Sequence, residues 1–223
     1  MTFMNPSWFI VGAGAIAIIP ILLGVVTSYL KVSIVFGLLK NALGSQQVPG
    51  VMVTMSLAMA ITTYVMAPVL NEVVERYENT EFGSLERGPD QRAITKLLGV
   101  MEPLHTFLQK HVGERERESI LKLEEEIAPP GQQSDPNGEL GWRPVLLGFL
   151  LTELKEAFTM GFMVLLPFLA IDLIVSNLLV GLGMTMVSPT MISLPLKLIL
   201  FVLSDGWLVL TRAIIVSYSG APL

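Results

Sequence analysis

LPFLAIDLIVSNLLVGLGMTMVSPTMISLPLKLILFVLSDGW, Leu166 to Trp207, decides how this chain folds. Two strongly apolar arms flank a short middle, VGLGMTMVSPT at Val180 to Thr190. Glycine and proline interrupt helices, so the stretch reads as a helical hairpin with a tight tip. A turn chosen for solubility carries Asn, Asp or Ser, whereas this tip carries Met184, Thr185 and Met186. Gly181 and Gly183 free the backbone there, Pro189 closes the tip, and two flexible thioethers project from it. A lone subunit gains little from such a tip. Several copies meeting on an axis gain a soft, water-excluding plug. An ordinary buried re-entrant turn is the competing reading of the same residues.

The character of the hairpin extends outward along the chain. Of 223 residues, 52% are hydrophobic and 15% charged, against about 25% charged in a soluble domain, which places the protein in the membrane class. Four apolar stretches reach or approach the ~20 residues that a bilayer helix needs: Trp8 to Leu30, Val51 to Leu70, Ala157 to Val187 and Met191 to Ser217. The first two form a hairpin around NALGSQQVPG, the last two around the methionine tip. The amino terminus, MTFMNPSWF, has no positive n-region and its apolar run continues to Lys31, so it reads as a retained membrane segment rather than a signal peptide. The expected fold is therefore all-α, a membrane-type protein of two long broken helical hairpins. Three segments follow: an amino-terminal hairpin over 1–71, an acidic helical insertion with its linker over 72–144, and a carboxy-terminal hairpin over 145–223.

The insertion holds most of the charge, with nine basic and fifteen acidic residues between Asn71 and Arg143. Ile94, Leu97, Leu98, Met101, Leu104 and Leu108 recur at helical steps, predicting an amphipathic helix with a kink at Pro103. ERERESILKLEEEI, Glu114 to Ile127, reads as a charged helix, and APPGQQSDPNGELGWRP as a linker. Lys31 and Lys40 flank the turn of the first hairpin, which contains Gln46, Gln47 and Pro49. Weighting those lysines directs both hairpin tips to the cytoplasm, with the termini and insertion outside.

Chemistry-bearing motifs are absent from the sequence: no HExxH, no GxSxG, no phosphate-binding loop and no dinucleotide fingerprint. There is no cysteine, which excludes a disulfide framework and thiolate metal sites. No basic patch interleaved with aromatics supports nucleic-acid binding, and neither a cofactor nor a metal is expected. His105 and His111 read as surface histidines. More informative are the charges within apolar runs, because each costs about 2.5 to 3.5 kcal/mol at bilayer depth even on insertion scales. Asp172 and Lys197 stand at similar distances before and after the tip, so an antiparallel hairpin brings them to one depth as a structural ion pair. Asp205 and Arg212, two turns apart on one face, reach towards partners on another chain. A proton relay through Asp172, Lys197 and Asp205, or an intramembrane aspartyl protease using the two aspartates, are the rival readings.

Leu166 to Trp207 closely resembles the carboxy-terminal signature of the FliP/SctR family, an export-gate component of flagellar and virulence-type type III secretion systems. SYLKVSIVFGLLKNALGSQQVPG, Ser28 to Gly50, resembles the first block of that family. The resemblance implies a pentameric homo-oligomeric ring in the bacterial inner membrane. Its partners would be FliQ/SctS-type, FliR/SctT-type and FlhB/SctU-type subunits, needle or rod proteins, and the unfolded proteins that pass through. It also implies that Met184, Thr185 and Met186 form a gasket in the channel, Thr185 departing from the three methionines common in flagellar members. Assembled family members hold these hairpins in a cone raised to the periplasmic side of the membrane, so four hydropathy peaks need not be four lipid-facing helices. Lacking a cleavable signal, the sequence points to the virulence-type branch.

Overall fold

A chain this apolar must satisfy its backbone hydrogen bonds internally, and the helix does so within one segment. The computed structural model describes residues 24–45, 49–80, 91–127, 141–184 and 186–219. Every regular element among them is a helix: α1 (Tyr29–Leu43), α2 (Val51–Asn79), α3 (Gln91–Val100), α4 (Glu102–Lys110), α5 (Glu114–Ile127), α6 (Trp142–Gly181), α7 (Pro189–Leu203) and α8 (Gly206–Ser219). The all-α expectation holds for these residues. The amino-terminal segment up to residue 23, Gln46, Gln47, Thr185 and most of the linker lie outside the described residues.

By length and composition α2 and α6 are each able to cross a membrane, and α7 with α8, bent by 62°, are together apolar enough for a broken span or a re-entrant loop. Breaks do not fall where proline alone places them. Pro68, Pro167 and Pro195 all lie inside helices, whereas the bend between α7 and α8 falls at Ser204 and Asp205. Pro103, expected to kink one helix, instead lies in the first turn of α4, where its missing N–H costs nothing. Lys31, read as flanking a turn, lies in α1 and is buried. The third apolar segment starts earlier than Ala157, because α6 begins at Trp142 and takes in the charged TELKE stretch.

The fold divides into two units. One lies within Met1–Leu30 and Met66–Thr152. Leu104, Phe107 and Leu108 of α4, Ile120 of α5, and Val145 and Phe149 of α6 make its core, with the Phe107 and Phe149 rings 6.1 Å apart. Gly148 lets the helices close, since a Cβ there would stand 2.8 Å from Val112 Cγ1 and 3.1 Å from Ile120 Cδ1. Arg76 ties α2 to α4 through Glu102 at 2.5 Å and donates to the Gly99 carbonyl at 3.3 Å.

The other unit lies within Lys31–Val65 and Glu153–Leu223 and contains the methionine hairpin. Val32, Val35, Phe36, Leu39 and Leu43 form a buried stripe along α1 at three- and four-residue steps. Ala157, Phe168, Val175 and Leu179 of α6, Phe201 of α7 and Leu210, Ile214 and Tyr218 of α8 are buried as well. Gly161 gives α1 room, because a Cβ there would come within 2.9 Å of Leu38 Cβ. The outer faces are as apolar as the core: Leu173, Ile174 and Leu178 on α6, Ile199 and Val202 on α7, and Leu208 and Val209 on α8 are all exposed. Met52, Met55 and Met59, whose spacing suggests packing within the chain, are exposed on α2 as well. Patches of this extent belong against lipid or another protein chain.

Candidate functional site: the methionine loop and its lysine tethers

The loop is set by how α6 ends. Gly183 takes the left-handed conformation at φ +77°. Its N–H donates to the Val180 carbonyl at 3.0 Å, and the Met184 N–H to the Leu179 carbonyl at 2.9 Å. This bond pair closes a helix C-terminus around a glycine and satisfies carbonyls that would otherwise be orphaned. Gly181 is the last residue of α6 rather than part of the loop. On the far side Ser188 is the N-cap and Pro189 opens α7, a position for which its fixed φ is pre-organised. Both loop ends are therefore defined by the backbone. Met184 is 44% exposed and Met186 completely so.

Behind the loop, Lys197 joins three helices. Its Nζ lies 2.6 Å from Asp172 Oδ2 on α6 and donates to the Ala42 carbonyl at 2.9 Å. Ala42 belongs to the last turn of α1, where carbonyls lack helical partners and a cation is favoured by the helix dipole. Gly44, at φ +75°, turns the chain away immediately afterwards. A Cβ on it would stand 3.9 Å from Lys197 Nζ and 3.8 Å from Thr190 Cγ2. Lys197 is buried, and Asp172 is 39% exposed.

A second lysine cluster, unread from the sequence, lies in the same unit. Lys31 Nζ is 3.1 Å from Glu153 Oε1 and 2.7 Å from Glu156 Oε2. It also donates to Ser217 Oγ at 3.3 Å and sits 3.9 Å over the Tyr218 ring. The Tyr218 hydroxyl donates to Glu153. Lys31 and Glu153 are each only 1% exposed. The available signal was two glutamates three residues apart on one helical face, beside an apolar run that begins with a single cation.

Asp205 and Arg212 are exposed, and neither makes an ion pair with another described residue. Lys40 is half-buried near the end of α1, and Pro49 lies just ahead of α2. No group of three metal-ligating side chains is present among the described residues. His105 packs at a tilt against Trp142, with ring centroids 4.8 Å apart, and His111 likewise against Phe107 at 4.4 Å.

Residues 13–214 match the FliP family. The chain is 39% identical over 210 residues to the hypersensitivity response secretion protein HrcR of Ralstonia nicotianae, covering 94% of this chain and 95% of that one. It is 37% identical to the Yop proteins translocation protein R of Yersinia pestis, with 92% and 93% covered. To the surface presentation of antigens protein SpaP of Shigella flexneri it is 36% identical, again with 92% and 93% covered.

Proposed function

This chain belongs to the FliP family, and from that premise we propose that it is a non-enzymatic subunit of a type III secretion export gate whose Met184–Met186 loop seals the protein-conducting channel. The observation that carries the reading is a short loop pinned at both ends that presents its methionines outward. Glycine and proline define the backbone ends, and Met186 is fully exposed. Thioethers of this kind are soft and re-pack around irregular surfaces. Copies of the loop gathered on one axis close a pore to ions while yielding to an unfolded polypeptide. In this reading the chain works as a homo-oligomeric ring, a pentamer by family resemblance, with FliQ/SctS-, FliR/SctT- and FlhB/SctU-type subunits. It resides in the bacterial inner membrane, largely to its periplasmic side, and the acidic insertion faces the periplasm.

The exposed apolar faces of α2, α6, α7 and α8 supply the surfaces such an assembly covers. Lys197 holds the two helices beside the loop to the end of α1, acting as a strut. The same geometry disfavours aspartyl chemistry, because a carboxylate 2.6 Å from an ammonium is not poised to share a proton with a second aspartate. The names of the relatives concern hypersensitivity-response secretion, Yop protein translocation and surface presentation of antigens, which favours a virulence-type system. Replacing Met184 and Met186 together by Ala is expected to leave assembly intact and to raise ion conductance of the complex in planar bilayers. An assembled double variant as ion-tight as the parent rules the seal out.

A further inference from the structure

The arm that carries the methionine loop ends in an elbow that the sealing role does not require. The helices α7 and α8 meet at a bend of 62°, and Asp205 at the corner has φ +49°, the one left-handed non-glycine among the described residues. Left-handed backbone costs a residue with a Cβ, less for Asp than for most, so the bent form carries a modest strain at this point. Backbone hydrogen bonds nonetheless close both sides of the corner. The Ser204 and Asp205 N–H groups donate to Leu200 and Val202, and the Asp205 carbonyl accepts from Leu208 and Val209. Gly206 is required by contact: a Cβ there would stand 2.8 Å from the Phe201 carbonyl oxygen.

An aromatic contact across the corner opposes the strain. Phe201 of α7 and Trp207 of α8 meet edge-on with centroids 5.0 Å apart. Trp207 also meets Phe36 at 6.2 Å, and Phe201 meets Phe168 at 6.3 Å. One left-handed residue and one aromatic edge contact are free-energy terms of similar size and opposite sign. Neither dominates. The open side of Trp207 faces a groove of about 690 Å³ lined by Met52, Val53, Ser56 and Leu57, so the indole has space beside it.

We propose that Ser204–Asp205–Gly206 is a two-position hinge. In one position Asp205 is left-handed and the Phe201–Trp207 contact latches the bend; in the other Asp205 becomes right-handed and α7 and α8 merge into one helix. Strained residues persist where surrounding structure over-determines them, and they cluster at switch regions. Because α7 spans 15 residues between elbow and methionine loop, it is a lever about 22 Å long, and the link from hinge to seal rests on the sealing function proposed above. The hinge itself does not.

Distance measurement by pulsed electron resonance tests it directly, because a chain without cysteine accepts spin labels only where they are placed. Labels at Met191→Cys and Ser219→Cys, in labelled subunits diluted into unlabelled assembled complex, are separated by 28 residues. They stand about 42 Å apart along a straight helix, and roughly 6 Å closer when the arms are bent by 62°, from 1.5 Å per residue. Two populations are expected. Asp205→Gly relieves the strain and enriches the shorter distance about tenfold; Trp207→Ala removes the latch and enriches the longer by a similar factor. A single shorter distance, unmoved by either Trp207→Ala or Asp205→Ala, makes the elbow a rigid corner and overturns the proposal. The leak test of the methionines does not enter this result, so hinge and seal stand or fall separately.

Discussion

Two lysines are buried beside α6, and the fold treats them differently. Lys31 lies among two carboxylates, a hydroxyl and an aromatic face, and its nearest buried partner is as inaccessible as it is. Lys197 has one carboxylate, itself 39% exposed, and one helix-end carbonyl. A buried charge loses its hydration and must recover it from partners. The Lys31 cluster recovers it from four groups on α6 and α8, of which Glu153 is fully enclosed and Glu156 is 43% exposed, whereas Lys197 has no carboxylate as enclosed as Glu153. Closed clusters hold helices together and tolerate little change. Open ones leave room for water, a lipid head group or a partner chain.

Removing Lys31 gives the sharpest contrast. Lys31→Met leaves Glu153 buried without its cation, and a loss of about 3–5 kcal/mol is expected, measured as a lowered thermal midpoint of the detergent-extracted chain. Adding Glu153→Gln to that variant returns part of the loss. Lys197→Met costs less, about 1–3 kcal/mol, because the carboxylate it abandons is 39% exposed where Glu153 is 1% exposed; equal losses at the two lysines erase the distinction. Gly44→Ala probes the turn beside Lys197 without touching a charge. Its neighbours leave ordinary contact distances, so the cost is that of left-handed backbone alone, about 1–2 kcal/mol, and the same thermal midpoint reads it. Smallest is Met184→Ala with Met186→Ala, whose exposure keeps the stability change within about 0.5 kcal/mol. A larger loss there means the loop packs within its own chain, and the contrast between structural lysines and a free-standing loop disappears.

The helical architecture was legible because apolar length, glycine and proline carry it. Glu114 to Ile127 is α5 as the charge pattern predicts, and the turn after α6 falls at Gly183 among the glycines that marked it. Asp172 and Lys197 could be brought together from sequence because the tip of an antiparallel hairpin sets their depth. Proline marked the start of α7 at Pro189 but not every boundary, since Pro68, Pro167 and Pro195 lie inside helices. In an apolar segment, neighbouring groups satisfy the carbonyl that a proline frees, so Pro167 and Pro195 stay helical. The break goes instead to Ser204–Asp205–Gly206, where a left-handed residue and a glycine are available. Glu153 and Glu156 carry no signal of their own in the sequence because they precede Ala157, where the apolar run begins; Lys31, Ser217 and Tyr218 come from far along the chain, and no local pattern joins them.

The proposed sealing function depends on methionine tips of identical subunits meeting one another. Met186→Cys introduces the only thiol in the chain, and mild oxidation of the assembled complex reads directly whether two tips touch. Covalent dimers of this subunit, formed in the closed complex and lost when an exported polypeptide is arrested in the channel, are the expected outcome. Thiols that never cross-link in the assembled complex, yet react readily with a lipid-soluble maleimide, contradict the seal and place the tips in the bilayer.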